Sequence, residues 1–132
     1  MKNLISKILI SLSILLISSA CSAQIKNATV EKVKIYGNCG SCKKTIEKAG
    51  NIKNTAKVDW NKDTKMAEIT FDPSKTNKDE ILKRIAKAGY DSDEFRASDK
   101  SYEKLAPCCQ YDRNAKPTAE PEFDKVKIEE KK

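Results

Sequence analysis

Apolar and polar residues alternate at the start of the central region, and the alternation then gives way to helical spacing. Val33 and Ile35 alternate with polar neighbours, and this period of two predicts a half-buried strand that ends at Gly37. Between Ser41 and Ala49 the apolar positions recur every three or four residues, which predicts a helix. Gly50 then supplies a stop signal. This region therefore predicts one strand followed by one helix.

Alternation returns in two runs that lie close together in the sequence. Residues 56–60 and residues 67–71 each carry an apolar side chain at every second position. The segment between them, residues 61–64, contains Asn and Asp, which favour tight turns. We expect the two runs to pair as an antiparallel hairpin.

A second amphipathic helix is predicted after Pro73. Thr76 or Asn77 offers an N-cap for it, and Gly89 ends it. Its apolar stripe has helical spacing and consists of Ile81, Leu82, Ile85 and Ala88. A short, mostly polar run from residue 91 to residue 96 predicts a final strand.

The predicted element order is β-α-β-β-α-β within residues 28–97. Two split βαβ units in this order give an α+β fold of the ferredoxin-like class, with a four-stranded antiparallel sheet and both helices on one face. The loop between the first strand and the first helix then lies at one edge of the sheet. This loop carries Cys39 and Cys42.

The first 23 residues have the organisation of a secretory signal. Lysines come first, an apolar run at residues 8–17 follows, and small residues end the segment. Cleavage before Cys21 would give a lipid-modified N-terminal cysteine, and cleavage after Ala23 would give a soluble protein. An uncleaved membrane anchor is a third alternative. We expect export across the inner membrane to the periplasm.

The charge pattern argues against a nucleic-acid partner. The net charge of the 132-residue chain is +7 and falls to +5 once Lys2 and Lys7 leave with the signal. The basic residues are spread along the chain, without a cluster that also contains aromatic residues. Residues 98–132 form a charged tail, predicted to be largely disordered with at most a short strand around residues 123–128. We expect a monomer.

The chain contains no histidine, which excludes His-containing metal sites and His-based catalysis. Sulfur and carboxylate are the remaining strong ligands. Cys39 and Cys42 have two residues between them at the start of a predicted helix, where the helix dipole and the nearby Lys43 and Lys44 favour the thiolate. Two thiolates at this spacing can bind one soft cation.

Thioredoxin-type redox centres use the same cysteine spacing. A thioredoxin fold places these cysteines after an initial strand, helix and second strand, whereas only 15 residues precede Cys39 if cleavage follows Ala23. The topology therefore favours metal binding over a thiol-disulfide oxidoreductase. A structural disulfide, in a disulfide-stapled interaction module, is the third alternative for a secreted protein.

The segment from Tyr36 to Glu47 resembles the G-M-x-C-x-x-C loop and first helix of heavy-metal-associated domains. The segment from Ala88 to Asp91 is similar to the Ala-Gly-Tyr turn of that family, and the resemblance covers residues 30–96. One departure is Gly37, which stands where the family usually has Met, so that the hydrophobic support beneath the loop is missing.

The resemblance implies a metal carrier, such as a copper chaperone or a periplasmic mercury-binding protein, and not an enzyme. It implies Cys39 and Cys42 as ligands of Cu(I), Hg(II), Zn(II) or Cd(II), and we favour Cu(I) because two soft thiolates suit it. It also implies delivery to a thiol-bearing metal transporter or efflux ATPase. Tyr90 is expected near the sulfurs, either as a shield of the site or as a packing residue.

Two adjacent cysteines, Cys108 and Cys109, lie beyond the predicted domain. They could form a vicinal disulfide, bind a metal on their own, or form disulfides with the loop cysteines. They could also join Cys39 and Cys42 in a four-sulfur site, which would favour tetrahedral Zn(II) over exchangeable Cu(I). Residues 97–107 are long enough to bring them back, since an extended chain covers about 3.3 Å per residue.

Overall fold

A computed structural model describes residues 24–113 of the chain. The predicted signal segment with Cys21 and the end of the predicted tail, residues 114–132, lie outside the described residues. The expectations about cleavage, lipid attachment and a strand near residues 123–128 therefore remain predictions.

The described part of the chain contains three strands and three α-helices. They are β1 (Thr29–Lys34), α1 (Gly40–Gly50), β2 (Ala56–Trp60), β3 (Met66–Phe71), α2 (Lys78–Lys87) and α3 (Asp99–Glu103), followed by a 3₁₀ turn at Pro107–Cys109. The strands form one antiparallel sheet in the order β1-β3-β2. This confirms an α+β fold with an antiparallel sheet.

Alternating burial along the strands places the core on one face of the sheet. In β2 the residues Ala56, Val58 and Trp60 are buried while the residues between them are exposed. The same hydrophobic cluster contains Ile46 of α1 and Ile85 of α2. Because α1 contacts both β2 and α2, the two helices cover this one face. The period of two and the helical stripe both correspond to real burial.

The second helix begins and ends where the sequence predicts. Asn77 is the N-cap of α2, and its side chain accepts a hydrogen bond from the backbone N–H of Glu80 at 2.9 Å. Gly89 follows the helix with a φ of 103°, which side chains with a Cβ rarely adopt. Its positive φ directs the chain back toward the edge strand β1.

The prediction of a fourth strand at residues 91–96 is wrong, and the described sheet has three strands. The segment makes one isolated bridge beside β1, between Ser92 and Ile35. The chain then turns, because the Ser92 N–H donates to the Phe95 carbonyl at 2.7 Å and the Ser92 hydroxyl accepts from the Phe95 N–H at 2.9 Å. These local bonds use groups that a longer ladder would need.

Residues 98–113, which we name the C-terminal segment, are folded against the domain. This differs from the largely disordered tail that the sequence predicts for residues 98–132. Ser98 caps α3 by accepting a hydrogen bond from the Ser101 N–H at 3.2 Å, and the side chains of Cys109 and Tyr111 are part of the hydrophobic core. The C-terminal segment lies at the same end of the sheet as the cysteine loop.

Candidate metal centre

The cysteine loop joins β1 to α1 and holds two sulfurs close together. Cys39 is the N-cap of α1 in an extended conformation, and Cys42 lies in the first turn. The Lys43 N–H donates to the Cys39 carbonyl at 3.1 Å, and the Asn38 N–H donates to the Cys42 sulfur at 3.3 Å. The Sγ atoms of Cys39 and Cys42 are 3.6 Å apart. The start of a helix thus directs both thiols to one point.

The side chain of Trp60 packs against the cysteine loop from the core of the protein. Its indole ring is fully buried, and its Nε1 donates a hydrogen bond to the Ile35 carbonyl at 2.8 Å. A Cβ atom added at Gly37 would lie 3.1 Å from two carbons of this ring and 3.2 Å from the Cys42 Cβ. The expected loss of hydrophobic support is therefore wrong, because the indole fills the space beneath Gly37 and leaves little room for a side chain there.

Backbone groups favour the thiolate of Cys39. The N–H groups of Cys42 and then Ser41 lower the pKa of the Cys39 thiol to about 7, and the Cys42 side chain adds to the effect. Lys43 was expected to contribute, but its ammonium group bonds the Asp59 carboxylate at 2.8 Å and the Trp60 carbonyl at 2.7 Å. Lys43 instead connects α1 to the end of β2.

Cys108 and Cys109 lie beside the loop cysteines. The Sγ atoms of Cys39, Cys108 and Cys109 are all within 4.8 Å of one another, and those of Cys108 and Cys109 are 3.9 Å apart. The four cysteines of the described chain are free thiols. Of the alternatives left open by the sequence, the structure therefore shows convergence of thiols and no disulfide among residues 24–113.

The inner side of this sulfur cluster is closed by Tyr90. Cys42, Cys109 and Tyr90 are all buried. Burial, followed by a hydrogen bond with Cys42, raises the pKa of the Cys109 thiol to about 12. Burial also raises the pKa of Tyr90, with further contributions from Cys109 and Cys42. Tyr90 is thus next to two of the sulfurs, near the position expected for it, and is also part of the core.

Sequence reasoning missed the residues that hold the C-terminal segment in place. Arg113 donates to the Asp91 carboxylate from Nε at 3.0 Å and from Nη2 at 2.9 Å, and Asp91 is only 1% exposed. Tyr111 is buried against the turn after α2. The available signal was an aromatic residue and an arginine two and four positions after Cys109, in an otherwise polar stretch.

Part of the chain matches a known protein family. Residues 38–91 match the heavy-metal-associated domain (HMA) family. The match confirms the resemblance inferred from the sequence and includes Cys39, Cys42 and Tyr90, whereas Cys108 and Cys109 lie outside it.

Two known proteins resemble part of the chain. The mercuric transport protein periplasmic component of Pseudomonas aeruginosa is 38% identical over 55 residues, which are 41% of this chain and 60% of that protein. The chain therefore matches less than two thirds of that relative's length. A solved structure of a CopZ metallochaperone is 27% identical and is aligned over 48% of this chain and 98% of its own, with a TM-score of 0.46.

Among residues 24–113, no helix is both long and apolar enough to cross a bilayer.

Proposed function

We propose that the protein binds one soft metal cation through the thiolates of Cys39 and Cys42 and carries it as cargo. The observation that carries the proposal is the pair of sulfurs 3.6 Å apart at the start of α1. The lowered pKa of Cys39 supports it, since the thiolate is the form that binds metal. The chain has no histidine, so thiolates are the strongest soft ligands available.

The exposure of the two cysteines suits transfer of the cargo. Cys42 is fully buried, whereas Cys39 is partly exposed at the surface of the loop. An incoming thiol can therefore displace Cys39 first, while Cys42 still holds the ion. Stepwise exchange of this kind moves a soft cation without releasing it, and it needs no catalytic group. For two sulfurs alone we favour Cu(I), with Hg(II), Zn(II) and Cd(II) as alternatives.

The proposed recipient of the cation and the proposed cellular location follow by analogy with a relative. The Pseudomonas aeruginosa relative is named as a periplasmic component of mercuric transport. We propose by analogy that this chain acts in the periplasm, soluble or lipid-anchored at Cys21, as a monomer. Its recipient would be a thiol-bearing metal transporter or efflux ATPase.

A thiol-disulfide oxidoreductase is the second candidate function. The specific observation in its favour is the pKa of about 7 for Cys39, which also suits a nucleophilic thiolate. Such an enzyme would reduce insulin disulfides in the absence of metal, and this activity would disappear in Cys39→Ser. We expect no insulin reduction above the background set by that variant.

Metal-binding stoichiometry tests the proposed carrier function. The reduced full chain should bind one Cu(I) or Hg(II), and the double variant C39S/C42S should lose this stoichiometric binding because both loop ligands are gone. Ser41→Ala is the matched control, since it lies between the cysteines and keeps the backbone N–H that stabilises Cys39. An unchanged number of Cu(I) or Hg(II) ions bound per chain in C39S/C42S would refute the proposal.

A further inference from the structure

We infer that Cys108 and Cys109 complete the site from the C-terminal segment, so that the cargo is bound by four thiolates. The inference rests on the proposed function and adds two ligands from outside the matched domain, residues 38–91. It also names a class of cargo, the divalent soft cations. Four facts carry it: sulfur spacing, burial, the bonds that fix the segment, and the bonds that join it to the loop.

The spacing of the sulfurs suits a four-coordinate ion. A metal–sulfur bond of about 2.3 Å places two sulfurs about 3.8 Å apart in a tetrahedral site and about 4.6 Å apart in a linear one. The Sγ atoms of Cys39 and Cys42 are 3.6 Å apart, and those of Cys108 and Cys109 are 3.9 Å apart. Both pairs therefore have the spacing of a tetrahedron edge.

The two pairs also face one another. Cys39 lies within 4.8 Å of both Cys108 and Cys109, measured between Sγ atoms. On the inner side, Cys42 and Cys109 both belong to the hydrophobic core, together with Tyr90. One sulfur of each pair is buried, Cys42 at 0% exposure and Cys109 at 4%, while Cys39 and Cys108 lie nearer the surface. The cluster thus has a closed inner side and an accessible outer side.

Tyr111 fixes the C-terminal segment to the domain two residues after Cys109. Its hydroxyl accepts a hydrogen bond from the Asp91 N–H at 2.8 Å and donates to the Gly89 carbonyl at 2.9 Å. Its ring centroid lies 6.1 Å from that of Tyr90 and 5.1 Å from that of Tyr102. A ring buried at this depth, with its hydroxyl paired, holds the adjacent cysteines at a defined position.

The segment is also bonded directly to the cysteine loop. The Asn38 side-chain amide donates to the Cys108 carbonyl at 3.4 Å and to the Gln110 carbonyl at 3.2 Å. Asn38 immediately precedes Cys39, so these bonds set the distance between the two cysteine pairs. The sulfurs of Cys39, Cys108 and Cys109 are therefore brought together before any ion binds, with Cys42 beside Cys39, which lowers the entropic cost of binding.

Four thiolates change which cations bind best. Two sulfurs suit the low coordination number of Cu(I), whereas four sulfurs suit divalent ions with tetrahedral geometry, such as Zn(II), Cd(II) and Hg(II). A recipient protein must then displace Cys108 and Cys109 as well as Cys39. The C-terminal segment accordingly makes the site a tighter store than a two-sulfur loop.

Cadmium binding tests the inference. The reduced full chain carrying Cys21→Ser, which keeps only these four thiols, is compared with the same chain carrying C108S/C109S. The number of sulfur ligands is read from X-ray absorption or ¹¹³Cd NMR, and affinity from competition with a chelator. We expect four sulfurs in the parent and two in the variant. The affinity for Cd(II) should fall by at least about 100-fold. This exceeds the loss of about 10- to 100-fold that is typical when a residue that only hydrogen-bonds a metal ligand is removed.

Two further variants keep the test decisive. Lys104→Ser introduces the same residue at an exposed site of the segment and should bind cadmium as the parent does. If C108S/C109S does not fold, the exposed Cys108→Ser alone should still lower the sulfur count by one. An equal sulfur count and an affinity within about threefold of the parent would overturn the inference. Loss of cadmium in C39S/C42S alongside that result would leave the two-sulfur carrier function standing.

Discussion

Replacing Arg113 by Ala should destabilise the protein by about 3 kcal/mol, because it removes the main partner of a buried carboxylate. Arg113 makes two hydrogen bonds to Asp91, at 2.9 Å and 3.0 Å, and a third to the Ala97 carbonyl at 2.6 Å. The side chain of Asp91 is 1% exposed and that of Arg113 is 11% exposed. A charge pair this deep in the protein is hardly screened by solvent.

The magnitude follows from the environment of the pair. Removing one partner of a buried ion pair costs about 3–5 kcal/mol, and the lower value applies here because Arg113 retains some contact with water. Asp91 also keeps the Ala97 N–H, which donates to it at 2.8 Å. Arg113 additionally bonds Asp99 at 2.8 Å, but the Asp99 side chain is 77% exposed. Pairs with an exposed member contribute about 0–1 kcal/mol.

Urea unfolding of the metal-free, reduced protein measures this difference. Arg113→Ala should lower the free energy of unfolding by about 3 kcal/mol. Asp99→Asn removes only the pairs of the exposed Asp99 with Arg113 and Arg96, and should lower it by less than about 1 kcal/mol. Arg113→Lys should fall between them, since it keeps the charge and loses the bidentate geometry. If Arg113→Ala and Asp99→Asn cost the same, the buried pair does not hold the segment, and the reasoning is refuted.

Two further predictions concern the cysteine loop. Gly37→Ala should destabilise the protein by about 1–3 kcal/mol in thermal unfolding, because its Cβ would lie 3.1 Å from the Trp60 ring. Gly40→Ala is the control and should not destabilise it, because no atom lies within 4 Å of a Cβ at that position. Equal effects of the two substitutions would contradict the packing argument. Alkylation of the metal-free protein, followed peptide by peptide by mass spectrometry, should show Cys39 reacting with a midpoint near pH 7, since its thiolate predominates above that pKa. Cys109, with its pKa raised to about 12, should stay largely unreacted at pH 8, and comparable rates for the two would contradict the assigned environments.

Local sequence patterns were sufficient for most of the fold. The alternation at residues 56–60 and the helical stripe of α2 correspond to buried faces, because periodicity follows directly from which side of an element meets the core. The prediction of a fourth strand was wrong because a local turn forms instead. Ser92 can bond to its own neighbours, and this local turn competes with a ladder whose partner is more than fifty residues away.

In the candidate site, too, some residues could be predicted from local sequence and others could not. Cys39 and Cys42 could be identified because their spacing and the start of a helix are local properties. The approach of Cys108 depends instead on where Tyr111 and Arg113 bind, which is a matter of tertiary packing. Asp91 shows the difficulty clearly: its sequence context suggested part of a polar end strand, whereas it is a buried anchor for a residue 22 positions later.

Binding of cargo and binding of the C-terminal segment should stabilise each other. If the cation is bound by sulfurs from both the loop and the segment, it binds the docked conformation more tightly, and each event then favours the other by the same free energy. A cation at 1,000 times its dissociation constant stabilises the form that binds it by about 4 kcal/mol. This is comparable to the roughly 3 kcal/mol assigned to Arg113. Because this coupling is reciprocal, Arg113→Ala, which loosens the segment, should also weaken binding of the cation.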